Sequence, residues 1–251
     1  MERFASESEA LAHTLAEVLA EKLERKSNFF KENCVRNTCY VRMNRYPPCP
    51  KPSEVYGLMP HTDSDFLTIL YQDQVGGLQL IKDNRWVAVK PNPRALIINI
   101  GDLFQAWSNG MYKSVEHRVM TNPTVERFST AYFLCPSYDA VIECSGDCPS
   151  YRNFSFREFR QQVQDDVKKL GYKVGLPSSH KEVGDTHSTT RKKEVPSLKS
   201  EGEGIPALFV RGAPEQIWIK VRNDGIRETI KNMHTKSRAR IQVVLSIYDL
   251  K

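Results

Sequence analysis

Leu11, Leu15, Val18, Leu19 and Leu23 recur at helical spacing, with Glu17, Glu21, Lys22 and Glu24 largely on the opposite side. The pattern predicts an amphipathic helix over about residues 6–26, its apolar stripe serving core packing. From residue 38 the period changes. Short runs rich in β-branched and aromatic residues follow at Thr38–Met43, Leu67–Tyr71, Leu78–Ile81, Trp86–Val89, Ala95–Ile100 and Thr130–Leu134. Asp83-Asn84 between two of these runs reads as a two-residue hairpin turn. Gly76-Gly77 reads as a turn or bulge, because no phosphate-loop lysine follows it. Closely spaced strands of this kind predict an antiparallel sandwich or barrel. Ser155 and Glu158 then form a capping box that opens a second helix. Phe159, Val163, Val167 and Leu170 give that helix a stripe, and Gly171 is placed to end it.

Beyond Leu176-Pro177 the character changes again. Residues 178–204 offer only Val183, Val195 and Leu198 as larger aliphatics among Ser, Thr, Lys, Glu and Gly. They are expected to be disordered, since they cannot bury enough apolar surface to order themselves. Gln216–Val221 and Ile241–Tyr248 have strand-like composition, but residues 205–251 fit no recognisable fold. The predicted organisation is a packing helix within 1–35, a β domain over 36–150, a buttressing helix over 151–177, a disordered linker over 178–204 and an unassigned tail over 205–251.

Composition narrows the class. The chain has 251 residues, 40% of them hydrophobic and 10% aromatic, enough for a core. No run of 18 apolar residues indicates a membrane span, and the acidic first 26 residues do not read as a signal peptide. The six cysteines (34, 39, 49, 135, 144 and 148) include no C-x-x-C pair. Free thiols in a cytoplasmic protein are expected, with the nucleus open to it by diffusion. The net charge of +6 is uneven: residues 178–251 hold 14 of the 36 Lys and Arg but only 9 of the 30 Asp and Glu. The preceding part is therefore near neutral. No nucleic-acid-binding signature accompanies the basic tail, so a solvated surface and a monomer without nucleic-acid or membrane partners are expected.

The candidate chemistry centres on His61, Asp63 and His117. Residues at i and i+2 of a strand share a face, and two imidazoles with one carboxylate form a facial triad suited to non-haem Fe(II) with positions left open. A lone His-x-Asp is more often a surface pair. His13, His180, His187 and His234 sit in contexts that suggest no metal. Ten residues after His117 come Arg127 and Ser129, again sharing a face if extended. A guanidinium there can grip a carboxylate through two parallel hydrogen bonds. Asp65 and Asp102 lie near these motifs and read as solvated or turn-forming.

Asn44-Arg45-Tyr46-Pro47-Pro48-Cys49-Pro50, Met59-Pro60-His61-Thr62-Asp63, Gly76-Gly77-Leu78-Gln79, Ser114-Val115-Glu116-His117-Arg118 and Arg127-Phe128-Ser129 occur in this order. Together they resemble the plant 2-oxoglutarate/Fe(II)-dependent dioxygenases over roughly residues 1–177. Within that family, Val41–Pro50 is most similar to the gibberellin 2-oxidases that act on C20 gibberellins.

The resemblance implies a mainly β fold with flanking helices and a double-stranded β-helix (jelly-roll) core. It implies Fe(II), with 2-oxoglutarate and O₂ as co-substrates and ascorbate as a reductant. His61, Asp63 and His117 would hold the metal. Arg127 and Ser129 would take the distal carboxylate of 2-oxoglutarate, with Tyr46 as a third donor and Asn44 nearby. Tyr46 read alone could equally be a core tyrosine, and Asn44 a turn residue. Phe133 is a candidate substrate-pocket residue or a core phenylalanine. No side chain is singled out as acid, base or nucleophile. The implied activity is hydroxylation of a small hydrophobic carboxylic acid, a C20 gibberellin at C-2 first. Another gibberellin, flavonoid or specialised-metabolite oxidase stands as an alternative, and so does a non-catalytic fragment. Family members carry a sizeable N-terminal segment ahead of the first helix; its lack is expected to affect activity more than fold.

Overall fold

The computed structural model describes residues 2–25, 28–144 and 149–176. The expected linker at 178–204 and tail at 205–251 lie outside the described residues, as do Pro177 and Cys148. Helix α1 (Glu2–Glu21) and the short α2 (Phe29–Asn33) precede strands β1 (Tyr40–Tyr46), β2 (Tyr56–His61), β3 (Leu67–Gln72), β4 (Leu78–Lys82), β5 (Arg85–Ala88) and β6 (Ile97–Ile100). Helix α3 (Asp102–Trp107), β7 (His117–Met120), β8 (Arg127–Leu134), the small pair β9 (Val141–Ile142) and β10 (Phe154–Ser155), and α4 (Phe156–Leu170) complete the order. Two four-stranded antiparallel sheets, β1-β8-β3-β6 and β2-β7-β4-β5, form the expected jelly roll.

Helix α1 is earlier and shorter than its hydrophobic period predicts. It ends at Glu21, and Glu24 turns the chain in the left-handed region at φ 53°. Its buried face is Leu11, Ala12, Leu15, Ala16, Leu19 and Ala20. Alanine between the leucines lets the helix lie close against β8 and β3. An aromatic cluster fixes α2 to α3: Phe30 stacks on Phe104 at 5.4 Å and meets Phe66 and Trp107 edge-on at 5.1 and 5.0 Å. Each such pair contributes roughly 0.5–1.5 kcal/mol beyond its buried area.

The β4–β5 hairpin turns on Asp83 and Asn84, both at positive φ (49° and 59°), as a type I′ turn requires. Gly77, at φ +103°, passes so close to β7 that a Cβ would stand 2.5 Å from the Met120 carbonyl oxygen. That close approach accounts for Gly77, and a φ of 84° for Gly76, without any ligand. Among the described residues Cys34, Cys39, Cys49, Cys135 and Cys144 are free thiols, and no helix is long and apolar enough to cross a membrane.

The capping box of α4 forms in full: Glu158 N donates to Ser155 Oγ at 3.1 Å, and Ser155 N donates to Glu158 Oε2 at 2.7 Å. Gly171 closes the helix in the left-handed conformation. The predicted stripe is only half used. Phe156 and Phe159 are buried, whereas Val167 and Leu170 are about half exposed. Ser155→Ala is expected to cost about 1 kcal/mol, the usual value of a lost N-cap. Urea unfolding followed at 222 nm measures it; an unchanged midpoint would mean that α4 is held by its packing alone.

Candidate metal centre

β2 and β7 pair so that His61 faces His117 directly. The pairing is irregular, with register shifts on either side of Leu58. Gly57 and Pro60 explain the irregularity, since Pro60 has no N–H to give to the ladder. β2 ends at His61, so Asp63 is not two residues along the same strand, as the sequence pattern had suggested. It lies in the turn beyond, where Asp102 N donates to the Asp63 carbonyl oxygen at 2.9 Å. The turn, not the strand period, aims its carboxylate back at the two imidazoles.

Donor roles in this cluster follow from its hydrogen bonds. His61 Nδ1 lies 2.7 Å from the Met59 carbonyl oxygen, and His117 Nδ1 lies 3.0 Å from that of Val115. A carbonyl can only accept, so both Nδ1 atoms carry hydrogen, and in the neutral imidazole that leaves the lone pair on Nε2. Asp63 Oδ2 accepts from Thr68 Oγ1 at 2.6 Å and from Asn99 Nδ2 at 3.4 Å. Its other oxygen, Oδ1, stands 3.8 Å from His61 Nε2 and 3.6 Å from His117 Nε2. The three atoms offered as ligands lie within 4.8 Å of one another. With both imidazoles neutral, as metal ligands must be, three acceptors meet with no hydrogen between them and repel, and a cation among them reverses the sign. The donor set therefore fits a divalent metal, and its two-imidazole, one-carboxylate composition fits Fe(II).

Burial and the neighbouring His117 pull His61 down to about 4, so it is a neutral ligand at physiological pH. Burial opposes ionisation of Asp63, but His117, His61, Thr68 and Asn99 outweigh it and hold the carboxyl below its usual range. Asp65 goes the other way: burial and the Asp63 charge push it well up. Thr68 has a single hydroxyl hydrogen, committed to Asp63, so the 2.9 Å contact between Asp65 Oδ2 and Thr68 Oγ1 is best supplied by a protonated Asp65. Asp65 and Asp102 are 1% and 2% exposed. Neither is the solvated group their sequence context suggests.

The carboxylate-clamp candidates occupy one face of the other sheet. Cross-strand register sets Tyr46 opposite Arg127 and Asn44 opposite Ser129. Asn44 Nδ2 reaches Ser129 Oγ at 3.5 Å, and the Arg127 guanidinium lies 4.9 Å from the centre of the Tyr46 ring. Arg127 is 1% exposed. It donates to Gln72 Oε1 at 2.9 Å and to Ser129 Oγ at 3.4 Å, while its Nε and the Gln72 Nε2 are buried without a partner. No carboxylate among the described residues pairs with it. Burial accordingly lowers its pKa, Tyr46 and Asp73 countering in part. A buried cation without a counter-charge is costly unless an anion joins it. A ligand carboxylate supplies what the site lacks.

Along β3, Thr68 holds Asp63 and Gln72 holds Arg127. Four residues of strand separate these anchors by about 13 Å. Phe133, in register with Thr68, shares the face of Arg127 and Ser129 and stacks on Tyr40 at 4.5 Å. Sequence reasoning missed Thr68, Gln72 and Asn99. A polar residue inside Leu67-Thr68-Ile69-Leu70 or Ile97-Ile98-Asn99-Ile100 was the available signal, because a buried polar group in such a run needs a partner.

A profile described as the 2OG-Fe(II) oxygenase superfamily matches residues 32–136. The chain is 89% identical over 177 residues to gibberellin 2-beta-dioxygenase 8 of Arabidopsis thaliana, covering 70% of this chain and 52% of that protein. It is 52% identical over 188 residues to gibberellin 2-beta-dioxygenase 6 of Oryza sativa subsp. japonica, covering 72% and 52%. JOX2, solved in complex with 2OG, Fe and JA, superposes with a TM-score of 0.63 at 36% identity, over 71% of this chain and 55% of JOX2. The chain thus spans about half the length of the curated relatives it matches. The paired imidazoles and carboxylate, the jelly roll that carries them and the profile match agree, and residues 32–136 are those of a 2OG-Fe(II) oxygenase superfamily domain.

Proposed function

We propose that this site serves a 2-oxoglutarate-dependent dioxygenase that hydroxylates a small hydrophobic carboxylic acid, a C20 gibberellin at C-2 in the first instance. The carrying observation is Arg127, buried and, among the described residues, without a carboxylate partner, on the sheet face that also orients Asp63. In this reading His61, Asp63 and His117 hold Fe(II) through Nε2, Oδ1 and Nε2. Arg127 and Ser129, with Tyr46 and Asn44 beside them, receive the distal carboxylate of 2-oxoglutarate. Bound iron supplies the redox chemistry that joins oxidative decarboxylation of this co-substrate to oxidation of a C–H bond. The chain's own work is positional. Thr68 and Asn99 aim the Asp63 carboxylate, the Met59 and Val115 carbonyls fix the imidazole tautomers, and the Phe133–Tyr40 stack adds apolar surface on the face that carries Arg127.

The register of β1 supports an acidic substrate. Tyr40, Asn44 and Tyr46 all meet inward-facing partners on β8, so Arg42 between them faces the same way. It is exposed, and no ion pair among the described residues engages it. A cation beside an aromatic wall suits an amphipathic acid. The names of the gibberellin-oxidising relatives make a gibberellin the first acid to try.

Succinate release by the full chain with Fe(II), 2-oxoglutarate and ascorbate tests the reading against C20 and C19 gibberellins, a flavanone and a methyl-esterified gibberellin. Stimulation by a C20 acid and a weaker response to its ester are expected. Stimulation by the flavanone alone would move the chain to another substrate within the family. Metal and 2-oxoglutarate binding with no stimulated succinate would leave a binding module without turnover.

A further inference from the structure

Thr62, between the two ligands His61 and Asp63, is gripped from behind by a buried ion pair. Lys173 Nζ lies 2.6 Å from Asp102 Oδ2 and donates to the Thr62 carbonyl oxygen at 2.8 Å. Thr62 Oγ1 donates to the same Asp102 oxygen at 3.1 Å, and Asp102 N donates to the Asp63 carbonyl oxygen at 2.9 Å. Three polar atoms of the ligand-bearing turn are thus committed to one pair. The lysine side chain is 13% exposed and the aspartate 3%.

Lys173 is not on a barrel strand. It belongs to the segment that folds back after Gly171, 111 residues from Thr62 in sequence. That segment is tied to α4 in turn. Asp166 Oδ2 accepts from Val174 N at 3.1 Å and Gly175 N at 3.4 Å, Gln162 Nε2 donates to the Gly175 carbonyl oxygen at 2.9 Å, and Leu176 is buried. Gly175, at φ +73°, is pressed against the pair: a Cβ there would stand 3.0 Å from Lys173 Cε and 3.2 Å from Asp102 Oδ2. A buried ion pair contributes little net stability over an apolar replacement, and its best-attested use is to fix one arrangement of the chain. Here the arrangement fixed is the turn that aims two of three metal ligands.

We propose that Lys173 is a positioning residue of the metal centre, acting through Asp102 and Thr62, so that the segment after α4 sets metal affinity. The inference rests on the metal reading of His61, Asp63 and His117. Co(II) binding by the full chain, read by titration and by the ligand-field bands of the bound ion, tests it without recourse to turnover. Lys173→Met is expected to weaken Co(II) binding roughly 10–100-fold, the usual effect of losing a group that orients metal ligands, and to shift the bands. Lys173→Arg, which keeps the charge and a donor, restores most of the affinity. Arg157→Met, which removes the exposed Arg157–Asp139 pair on α4, leaves affinity and bands unchanged. A folded Lys173→Met chain with native affinity and native bands overturns the proposal. Should Lys173→Met not fold, Thr62→Val decides, since it deletes only the hydroxyl that reaches Asp102. Weaker binding with altered bands supports the role, and native behaviour overturns it. A native chain that takes up no Co(II) at all would instead remove the metal reading and this inference with it.

Discussion

Asp63→Ala is expected to weaken Fe(II) binding by more than the roughly 100-fold that loss of an outer orienting group can cost, while leaving the barrel folded. The carboxylate is the only formal negative charge among the three ligands, and its Oδ1 is the atom that faces both imidazoles. Without it two neutral nitrogens remain, and they bind a hard, partly hydrated cation poorly. The fold should survive because Thr68 keeps Asp65 as a partner, and the turn keeps its backbone tie from Asp102 N to the Asp63 carbonyl. Thermal unfolding under anaerobic conditions reads both halves at once. A ligand present at about 100 times its Kd stabilises the native state by about 2.7 kcal/mol, so Fe(II) should raise the Tm of the native chain and leave that of the variant where it was. An equal rise in both would take Asp63 out of the ligand set. His61→Ala is expected to follow the same course.

The parts of this site that were legible in the sequence are those where local pattern and chemistry coincide. His61, Asp63, His117, Arg127 and Ser129 stand out as polar residues of matched chemistry near β-forming runs. The Asp83-Asn84 turn and the Ser155–Glu158 box each fix their geometry within four residues. What the sequence hid depends on distance. β2 was not expected, because Tyr56-Gly57-Leu58-Met59-Pro60-His61 has neither alternation nor an uninterrupted set of donors; it is a strand only because β7 pairs with it, irregularly. Asp102 looked like a turn residue because its partner Lys173 is contributed by another part of the chain. Asp65 looked solvated because nothing local announces that Thr68 and Asp63 enclose it. The stripe of α4 announced a helix correctly, but periodicity says nothing about what covers a face, and Val167 and Leu170 remain half exposed.

Arg127→Lys is expected to lower the affinity for 2-oxoglutarate by about 1.5–3 kcal/mol, the scale of a hydrogen bond to a charged group, while metal affinity stays at the native value. The substitution keeps the charge but loses the planar fork that meets a carboxylate with two parallel bonds. Titration with 2-oxoglutarate in the presence of Mn(II), followed by titration with Mn(II) alone, separates the two effects. A companion variant tells a ligand-binding arginine from a structural one. If Arg127 were half of a buried ion pair serving the fold, its truncation would leave the partner's charge unpaired and cost the roughly 3–5 kcal/mol typical of such a break. Instead, among the described residues, the buried guanidinium has no carboxylate beside it, and its Nε lacks a partner. The ligand-free protein therefore bears the cost of a desolvated charge for the sake of a ligand. Arg127→Met removes that cost but leaves the buried Gln72 Oε1 without its donor, worth about 1–3 kcal/mol, so stability should fall by less than a broken ion pair costs, while 2-oxoglutarate binding is lost. A large loss of stability together with native 2-oxoglutarate affinity would make Arg127 part of the scaffold and put the clamp elsewhere.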